Sequence, residues 1–351
     1  MAARSYTKIL AYFSLVLLIA IIGGGIYGYN IYSKMFLPNV DIGEKEYTLI
    51  YIPTESTYIQ ALEIITATEY VVDMETFKWV ASRMGYPYSI KPGRYKVTSN
   101  MSNRELLTIL RAGLQTPIRV TFTGFRTPQQ LAQKVSNQIE ADSAEIVEAF
   151  KSAEVANQYG FSPETFIAMF IPNTYEFFWN TGTKGFFDRM KKEYESFWTE
   201  EKDRRAKEIG LSRVKVSTLA SIVEEETIRV DERPKVAGVF VNRLNRNMPL
   251  QADPTIKFAV GDFTIRRILT KHLQVDSPYN TYKYRGLPPG PINAPSISSI
   301  NSVLNHDNHK YLYFCAKPDY SGYHAFASTL SEHNMNARVY QQFLNRERIF
   351  R

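Results

Sequence analysis

The sequence has almost no cysteine. Cys315 is the single cysteine in 351 residues, which excludes an internal disulfide, a Cys₄ zinc site and a redox pair. The five histidines all lie in the last third of the sequence and show no His-Glu-x-x-His pattern. The sequence also contains no serine-nucleophile elbow, no phosphate loop and no Rossmann glycine fingerprint. We therefore expect no metal and no cofactor.

Charge is missing from one long segment. No charged residue occurs between Ile9 and Ser33, and this run is long enough to cross a hydrocarbon core of about 30 Å as a helix. A cleaved signal peptide usually has an apolar region of only about 7–15 residues, so the length favours a transmembrane helix at 9–33. Arg4 and Lys8 precede the run, and the positive-inside rule then places residues 1–8 in the cytoplasm.

The rest of the composition is that of a folded protein. Hydrophobic residues make up 44% and charged residues 22%, as in ordinary globular domains, and the length predicts two or three units. The net charge of +7 indicates an anionic neighbour such as a membrane surface, a nucleic acid or an acidic polymer. Because the basic residues are dispersed and the topology places them outside the cytoplasm, we expect no nucleic-acid partner.

Local patterns divide the exported part in two. Residues 34–46 are predicted to be a linker, and 47–117 a small α+β unit with a strand at 47–52 and helices near 58–67, 74–84 and 103–111. A second unit covers 118–351, beginning with a strand at 118–122 and a helix after Thr127-Pro128. The predicted fold class is α+β, with an N-terminal transmembrane helix, a small α+β subdomain and a larger mixed α/β domain.

Three consecutive acids stand out in a helix predicted at 217–230. At about 100° per residue, Glu226 shares one stripe with Leu219, Ile222 and Val223, whereas Glu224 lies roughly opposite. A carboxylate on an apolar face is desolvated, which raises its pKa and gives the protonated form that a general acid needs. Glu225, to one side, and Glu224 can stay solvated.

A second interpretation of these acids stays open. Glu226 can instead form a surface ion pair with Arg229 or Arg233. Further along, the stiff loops 276–282 and 286–291 carry tyrosine, amide and hydroxyl groups, a composition that suits carbohydrate binding as well as two tight turns.

Several motifs together resemble the endolytic murein transglycosylase family, also called YceG-like. They are ASIVEEET and ERPKVAGVFVNRLNRNMPL within 219–250, then QADPT, SPYNTY, GLPPGPI, YLYF and SEHN, with KPGRYKV and FIPNTYEF upstream. The resemblance implies a single-pass protein of the bacterial inner membrane with a LysM-like subdomain at 47–117 and a YceG-like catalytic domain at 118–351 on the outer, periplasmic side. It also implies cleavage within the glycan strands of nascent peptidoglycan, which terminates their elongation.

Within this resemblance the catalytic glutamate corresponds to Glu226, with Glu224 as second choice. The predicted substrate-binding residues are Asn242, Arg243, Gln251, Asp253, Tyr279, Asn280 and Tyr282. The sequence departs from the family pattern at Ala252, at 293–296 and at 321–324, which affects the details of the sugar subsites. Peptidoglycan synthases and proteins of the divisome or elongasome are the expected protein partners.

Two alternatives remain. A muramidase-type hydrolase would use a second carboxylate, for which Asp253 is the nearest motif candidate. A non-catalytic wall-binding scaffold would carry its function in the LysM-like region, with Glu226 structural.

Overall fold

The computed structural model describes residues 2–265 and 267–347 and divides into two compact units. The first contains the chain up to Ile118 together with Glu176–Asn180, and the second contains Arg119–Tyr175 and the chain from Thr181 onward. Among these described residues, both units are built from helices and from three two-stranded sheets in all. The α+β class is confirmed.

The chain begins with one long helix, α1 (Ala2–Phe36). Its part from Ile9 to Phe36 is long and apolar enough to cross a membrane, and its residues 9–30 are exposed. The helix therefore continues three residues beyond the predicted span.

The first unit continues with β1 (Thr48–Ile52), α2 (Tyr58–Ala67), α3 (Met74–Arg83), β2 (Gly93–Val97) and α4 (Asn103–Ala112). Thr57, Asp73 and Ser102 cap the three helices with their side chains, which explains where each helix starts. β1 and β2 pair antiparallel, and alternate residues of both strands face a core with Phe77 and Leu106.

The segment predicted to be a linker, 34–46, is part of this unit. Val40 and Ile42 lie in its hydrophobic core, and the backbone of Val40 bridges to Val71. The sequence signal that suggested a linker, a proline and a glycine close together, reflects turns around buried residues.

The second unit is mostly helical. Its elements are β3 (Ile118–Phe122), α5 (Pro128–Ser136), α6 (Ser143–Lys151), α7 (Ala153–Gln158), β4 (Asn173–Phe177), α8 (Thr183–Phe197), α9 (Glu200–Glu208), α10 (Arg213–Glu226), α11 (Arg233–Asn245), α12 (Asp253–Val260), α13 (Ile297–Leu304), β5 (Tyr313–Ala316), β6 (His324–Ala327) and α14 (Leu330–Arg346). β3 forms a two-stranded sheet with β4, and β5 pairs antiparallel with β6. The prediction of a helix at 217–230 is wrong at its C-terminal end, because α10 stops at Glu226.

Candidate active site

Helix α10 is the buried centre of the site. Every residue from Val216 to Val223 is buried, polar Ser217, Thr218 and Ser221 included, and the helix packs against α11 and α13. It ends where Thr227 turns to extended backbone, with φ −141° and ψ 133°. The Thr227 hydroxyl accepts a hydrogen bond from the Arg229 amide at 3.0 Å, and this fixes the turn that follows Glu226.

Two of the three acids at the end of α10 have firm structural partners. A Glu224 carboxylate oxygen accepts from the amide and the hydroxyl of Ser296, at 2.7 and 2.8 Å. Glu225 accepts from Arg126 at 2.7 Å and from the Asn293 amide at 2.8 Å. Both carboxylates stay partly exposed, but they also tie the end of α10 to distant parts of the chain.

Glu226 is different. Within the described part of the chain its carboxylate has no hydrogen-bond or ion-pair partner. Arg229 instead donates to the Ser321 carbonyl at 2.7 Å and Arg233 to the Ser298 hydroxyl at 3.1 Å. The surface ion pair considered for Glu226 is not formed.

The half-buried Glu226 faces a cleft of about 340 Å³. The other residues that line this cleft are Phe240, Arg243, Leu250, Gln251, Asp253, Tyr282, Tyr313, Phe314, Leu330 and His333. Desolvation by burial, reinforced by the negative charge of Asp253, raises the pKa of Glu226 to about 8, although Arg243 and Lys257 act in the opposite direction. Glu226 is therefore mostly protonated at neutral pH and can donate a proton.

Asp253 and Tyr282 form a pair inside the cleft. The Tyr282 hydroxyl donates to Asp253 Oδ1 at 2.6 Å, and burial together with this bond to Asp253 raises the pKa of Tyr282. Gln251 precedes Asp253 in left-handed backbone, with φ +50°, and its amide donates to the Thr281 carbonyl at 3.1 Å. The two loops thus hold the Asp253 carboxylate in place.

Arg243 forms part of the cleft wall rather than an ion pair. Its buried guanidinium donates to the carbonyls of Leu312 and Leu250, at 2.6 and 2.8 Å, and lies 5.2 Å above the Tyr313 ring centroid. Burial lowers its pKa. Arg243 joins α11, β5 and the loop before α12 around the cleft.

Comparison with known proteins identifies the family. The model of the YceG-like family matches residues 50–339. The chain belongs to the YceG-like family. It is 30% identical to the endolytic murein transglycosylase of Bacillus subtilis over 336 residues, which is 91% of each protein.

Two further relatives agree. The endolytic murein transglycosylase of Streptococcus pneumoniae D39 is 29% identical over 95% of this chain, which spans 65% of that longer protein. The crystal structure of a YceG-like protein from Listeria monocytogenes superposes with a TM-score of 0.54 at 27% identity, covering 83% of this chain and 99% of the other.

Three predicted substrate-binding residues of this YceG-like chain lie outside the cleft. The Asn242 amide donates to the carbonyls of His309 and Tyr311, at 2.8 and 3.0 Å. Asn280 is fully buried and its amide donates to the Leu273 and Val275 carbonyls. The Tyr279 ring packs against Phe258 with centroids 4.6 Å apart. Their contacts position loops, while Arg243, Gln251, Asp253 and Tyr282 line the cleft.

Six cleft residues were missed by sequence reasoning: Phe240, Leu250, Tyr313, Phe314, Leu330 and His333. His333 stacks on Tyr313 with centroids 5.3 Å apart and an interplanar angle of 23°. Tyr313 and Phe314 belong to the YLYF motif and His333 to SEHN, so these family motifs were the available signal. Neither motif has a residue spacing that by itself indicates chemistry.

Proposed function

We propose that this chain is an endolytic murein transglycosylase, which cleaves the bond between MurNAc and GlcNAc inside peptidoglycan glycan strands and leaves 1,6-anhydroMurNAc ends. The observation that carries this proposal is the state of Glu226. Glu226 faces the cleft that Asp253 and Tyr282 also line. It has no protein partner among the described residues, and burial raises its pKa. The names of the curated relatives supply the substrate class.

The first chemical step uses protonated Glu226 as a general acid. It transfers its proton to the glycosidic oxygen, the bond from MurNAc C1 to that oxygen breaks, and oxocarbenium character develops at C1. GlcNAc leaves as an alcohol, and Glu226 becomes a carboxylate. Asp253 in the same cleft bears a negative charge that favours the positive charge developing on the sugar.

The second step returns the enzyme to its starting state. The Glu226 carboxylate removes the proton from the C6 hydroxyl of MurNAc, whose oxygen forms a bond with C1 of the same sugar. Because the nucleophile belongs to the reacting sugar, its effective concentration is high and no water is consumed. One carboxyl group therefore serves as acid and then as base.

The hydrolase alternative rests on a specific observation: Asp253 lines the same cleft as Glu226. A hydrolase would use the second carboxylate to activate water or to attack the sugar, and its products would have reducing MurNAc ends. The hydrogen bond from Tyr282 engages one Asp253 oxygen, which favours a supporting role for this carboxylate.

Product analysis tests the function directly. The full-length protein in detergent, wild type and Glu226→Gln, is incubated with uncrosslinked glycan strands and with intact sacculi, and the released muropeptides are analysed by mass spectrometry. We expect anhydro ends from the wild type and none from the variant. Reducing ends would identify a hydrolase, and equal cellular phenotypes of wild type and a folded Glu226→Gln protein would identify a scaffold.

The cellular setting is also part of the proposal. The apolar α1 supports a single-pass protein of the bacterial inner membrane, with residues 1–8 in the cytoplasm and the catalytic domain on the periplasmic side. The strand–helix–helix–strand order of β1, α2, α3 and β2 supports a LysM-like subdomain. Peptidoglycan synthases and divisome or elongasome proteins are the proposed partners. Protease protection tests the orientation. The catalytic domain should be protected in the lumen of inverted inner-membrane vesicles and exposed to protease in spheroplasts.

A further inference from the structure

Hydrogen bonds join the last turn of α1 to the rest of the first unit. The Asn103 amide donates to the Lys34 carbonyl at 2.9 Å, which satisfies a backbone acceptor in the last turn of α1. The Asn39 amide in turn donates to Asn103 Oδ1 at 2.7 Å and to the Asp73 carbonyl at 2.9 Å. Buried amides therefore hold α3 and α4 against the helix end, and α1 contacts both helices.

The level of the membrane surface follows from the length of α1. If the hydrocarbon core begins at Ile9, about 20 helical residues cross it, so the residues from Tyr29 to Phe36 emerge on the far side. Tyr29, Tyr32 and Phe36 are exposed there, as in the aromatic belts of transmembrane helices. Lys34 therefore lies at headgroup level.

Contacts along α3 show which of its ends faces the membrane. Lys34 Nζ lies 5.0 Å from the Trp79 ring centroid, whereas Asn39, five residues further from the membrane, contacts Asp73. As the chain runs from Lys34 to Asn39, away from the membrane, its contacts on α3 therefore shift from Trp79 to the N-terminal cap, Asp73. Its C-terminal end, with Arg83, points toward the bilayer.

Cations and aromatic rings meet at this end of the first unit. The Trp79 ring has Lys34 Nζ at 5.0 Å and the Arg83 guanidinium at 4.8 Å from its centroid. The Arg104 guanidinium lies 5.0 Å from the Phe36 ring centroid. Arg104 also borders an open cavity of about 600 Å³, whose other lining residues are Thr98, Ser99, Asn100, Met101, Glu105, Thr108 and Ile109.

The positive charge at this end of the first unit comes from the positions of its cations and not from an excess of basic residues. Residues 34–118 contain nine acidic and nine basic side chains, so this segment has no net charge. The acids on α3 and α4 are already engaged: Glu75 pairs with Lys78 at 2.8 Å, and Glu105 accepts from the Ser102 amide at 2.8 Å as part of a capping box. Lys34, Arg83 and Arg104 have no carboxylate partner within the described residues.

We infer that Lys34, Trp79, Arg83 and Arg104 form a docking surface for the headgroups of anionic phospholipids, in the leaflet where α1 leaves the hydrocarbon core. We call these four residues the juxtamembrane surface. Basic residues next to a membrane helix attract anionic headgroups, and a tryptophan at this depth is stable because its ring is amphipathic. The inference rests on the proposed membrane span, and it concerns lipid recognition rather than glycan cleavage.

Trp79 provides the probe. The chain has three tryptophans, so Trp179→Phe and Trp198→Phe leave Trp79 as the only one. This full-length parent protein is placed in phosphatidylcholine nanodiscs that contain a small fraction of acyl-brominated phosphatidylglycerol or, separately, acyl-brominated phosphatidylcholine. The ratio of quenching by the two lipids reports the enrichment of the anionic lipid around Trp79.

Two matched double variants separate placement from total charge. Lys34→Gln with Arg83→Gln removes both cations beside Trp79. Lys45→Gln with Lys96→Gln removes two other cations of the unit that also lie over aromatic rings, those of Tyr70 and Tyr47. Tyr70 precedes Asp73 and its carbonyl accepts from the Asp41 amide, so the control pair lies at the end of the unit away from the membrane.

For the parent protein and for the Lys45/Lys96 control variant, quenching by phosphatidylglycerol should exceed quenching by phosphatidylcholine at least about twofold. For the Lys34/Arg83 variant the ratio should be close to one. High salt should reduce the ratio of the parent protein. Equal ratios in all three proteins, or no quenching of Trp79 by either lipid, would overturn the docking surface. Flotation of the protein with vesicles after alkaline washing tests the membrane span separately. Flotation without preferential quenching rejects the lipid surface alone, whereas loss of flotation rejects the span on which it rests.

Discussion

The junction between α1 and the rest of the first unit differs from the cleft in the second unit in whether its polar side chains have hydrogen-bond partners. At the junction, both the oxygen and the nitrogen of the Asn39 amide have hydrogen-bond partners. Beside the cleft, Glu224 and Glu225 are equally well satisfied, but the adjacent Glu226 has no protein partner within the part of the chain that the structure describes. The half-buried Glu226 opens onto the cleft, and a titratable group of raised pKa in a cleft is a candidate for a functional role.

The largest effect that tests this difference is expected at Glu226. Glu226→Gln keeps the shape of the side chain but removes the proton donor, and we expect kcat/KM for glycan cleavage to fall by about 10²- to 10⁴-fold. Glu224→Gln retains an oxygen that can accept from Ser296 and should stay active. Muropeptide release measures both, with circular dichroism as the check on folding, and comparable losses in the two variants would contradict the assignment of the acid.

The pH profile gives the next largest effect. Because Glu226 must be protonated before cleavage, activity should be constant below its pKa of about 8 and fall about tenfold per pH unit above it. Asp253→Asn removes the nearby negative charge that raises this pKa, so the descending limb should move to lower pH.

A second aspartate–tyrosine pair supplies the matched control. Asp276 accepts from the Tyr284 hydroxyl at 2.8 Å, as Asp253 accepts from Tyr282, but neither residue lines the cleft. Asp276→Asn should leave the descending limb in place. An equal displacement in both variants would show that the effect is not specific to the cleft.

A stability test sharpens the other side of the comparison. Asn39→Ala leaves the Asp73 backbone amide and Asn103 Oδ1 without the Asn39 partner. We expect a loss of about 1–3 kcal/mol in the free energy of unfolding, confined to the first unit. Hydrogen exchange measured by mass spectrometry should show faster exchange in α3 and α4 and unchanged exchange in α10. Asn305→Ala, which removes only an exposed bond within one helix end, should change neither region.

The smallest effect is expected at Glu225. Its ion pair with Arg126 is partly exposed, with 41% of the arginine side chain and 25% of the glutamate side chain accessible, so Glu225→Gln should cost no more than about 1 kcal/mol. The glutamine can still accept from Asn293. Thermal unfolding measures the change, and a loss as large as that of Asn39→Ala would show that the partnered acids of α10 carry more stability than their exposure indicates.

Short-range features of this protein were predictable because their causes lie within a few residues. The bounds of α2 and of β3 agree with the prediction, as does the Thr127 cap with Pro128. The linker at 34–46 was wrong because the partners of Asn39, Val40 and Ile42 are contributed by α3, α4 and their neighbouring turns, which local composition does not reveal.

The sequence by itself determined the long apolar helix, the caps and periodicity of the main helices, and the placement of Glu226 on the apolar stripe of α10. Only the tertiary structure decided that Glu224 and Glu225 have partners, that Asn242, Tyr279 and Asn280 support loops, and that β5 and α14 complete the cleft. The physical reason is separation along the chain. Glu224 finds Ser296 across 72 residues and Glu225 finds Arg126 across 99, and such pairings exist only once packing brings the elements together.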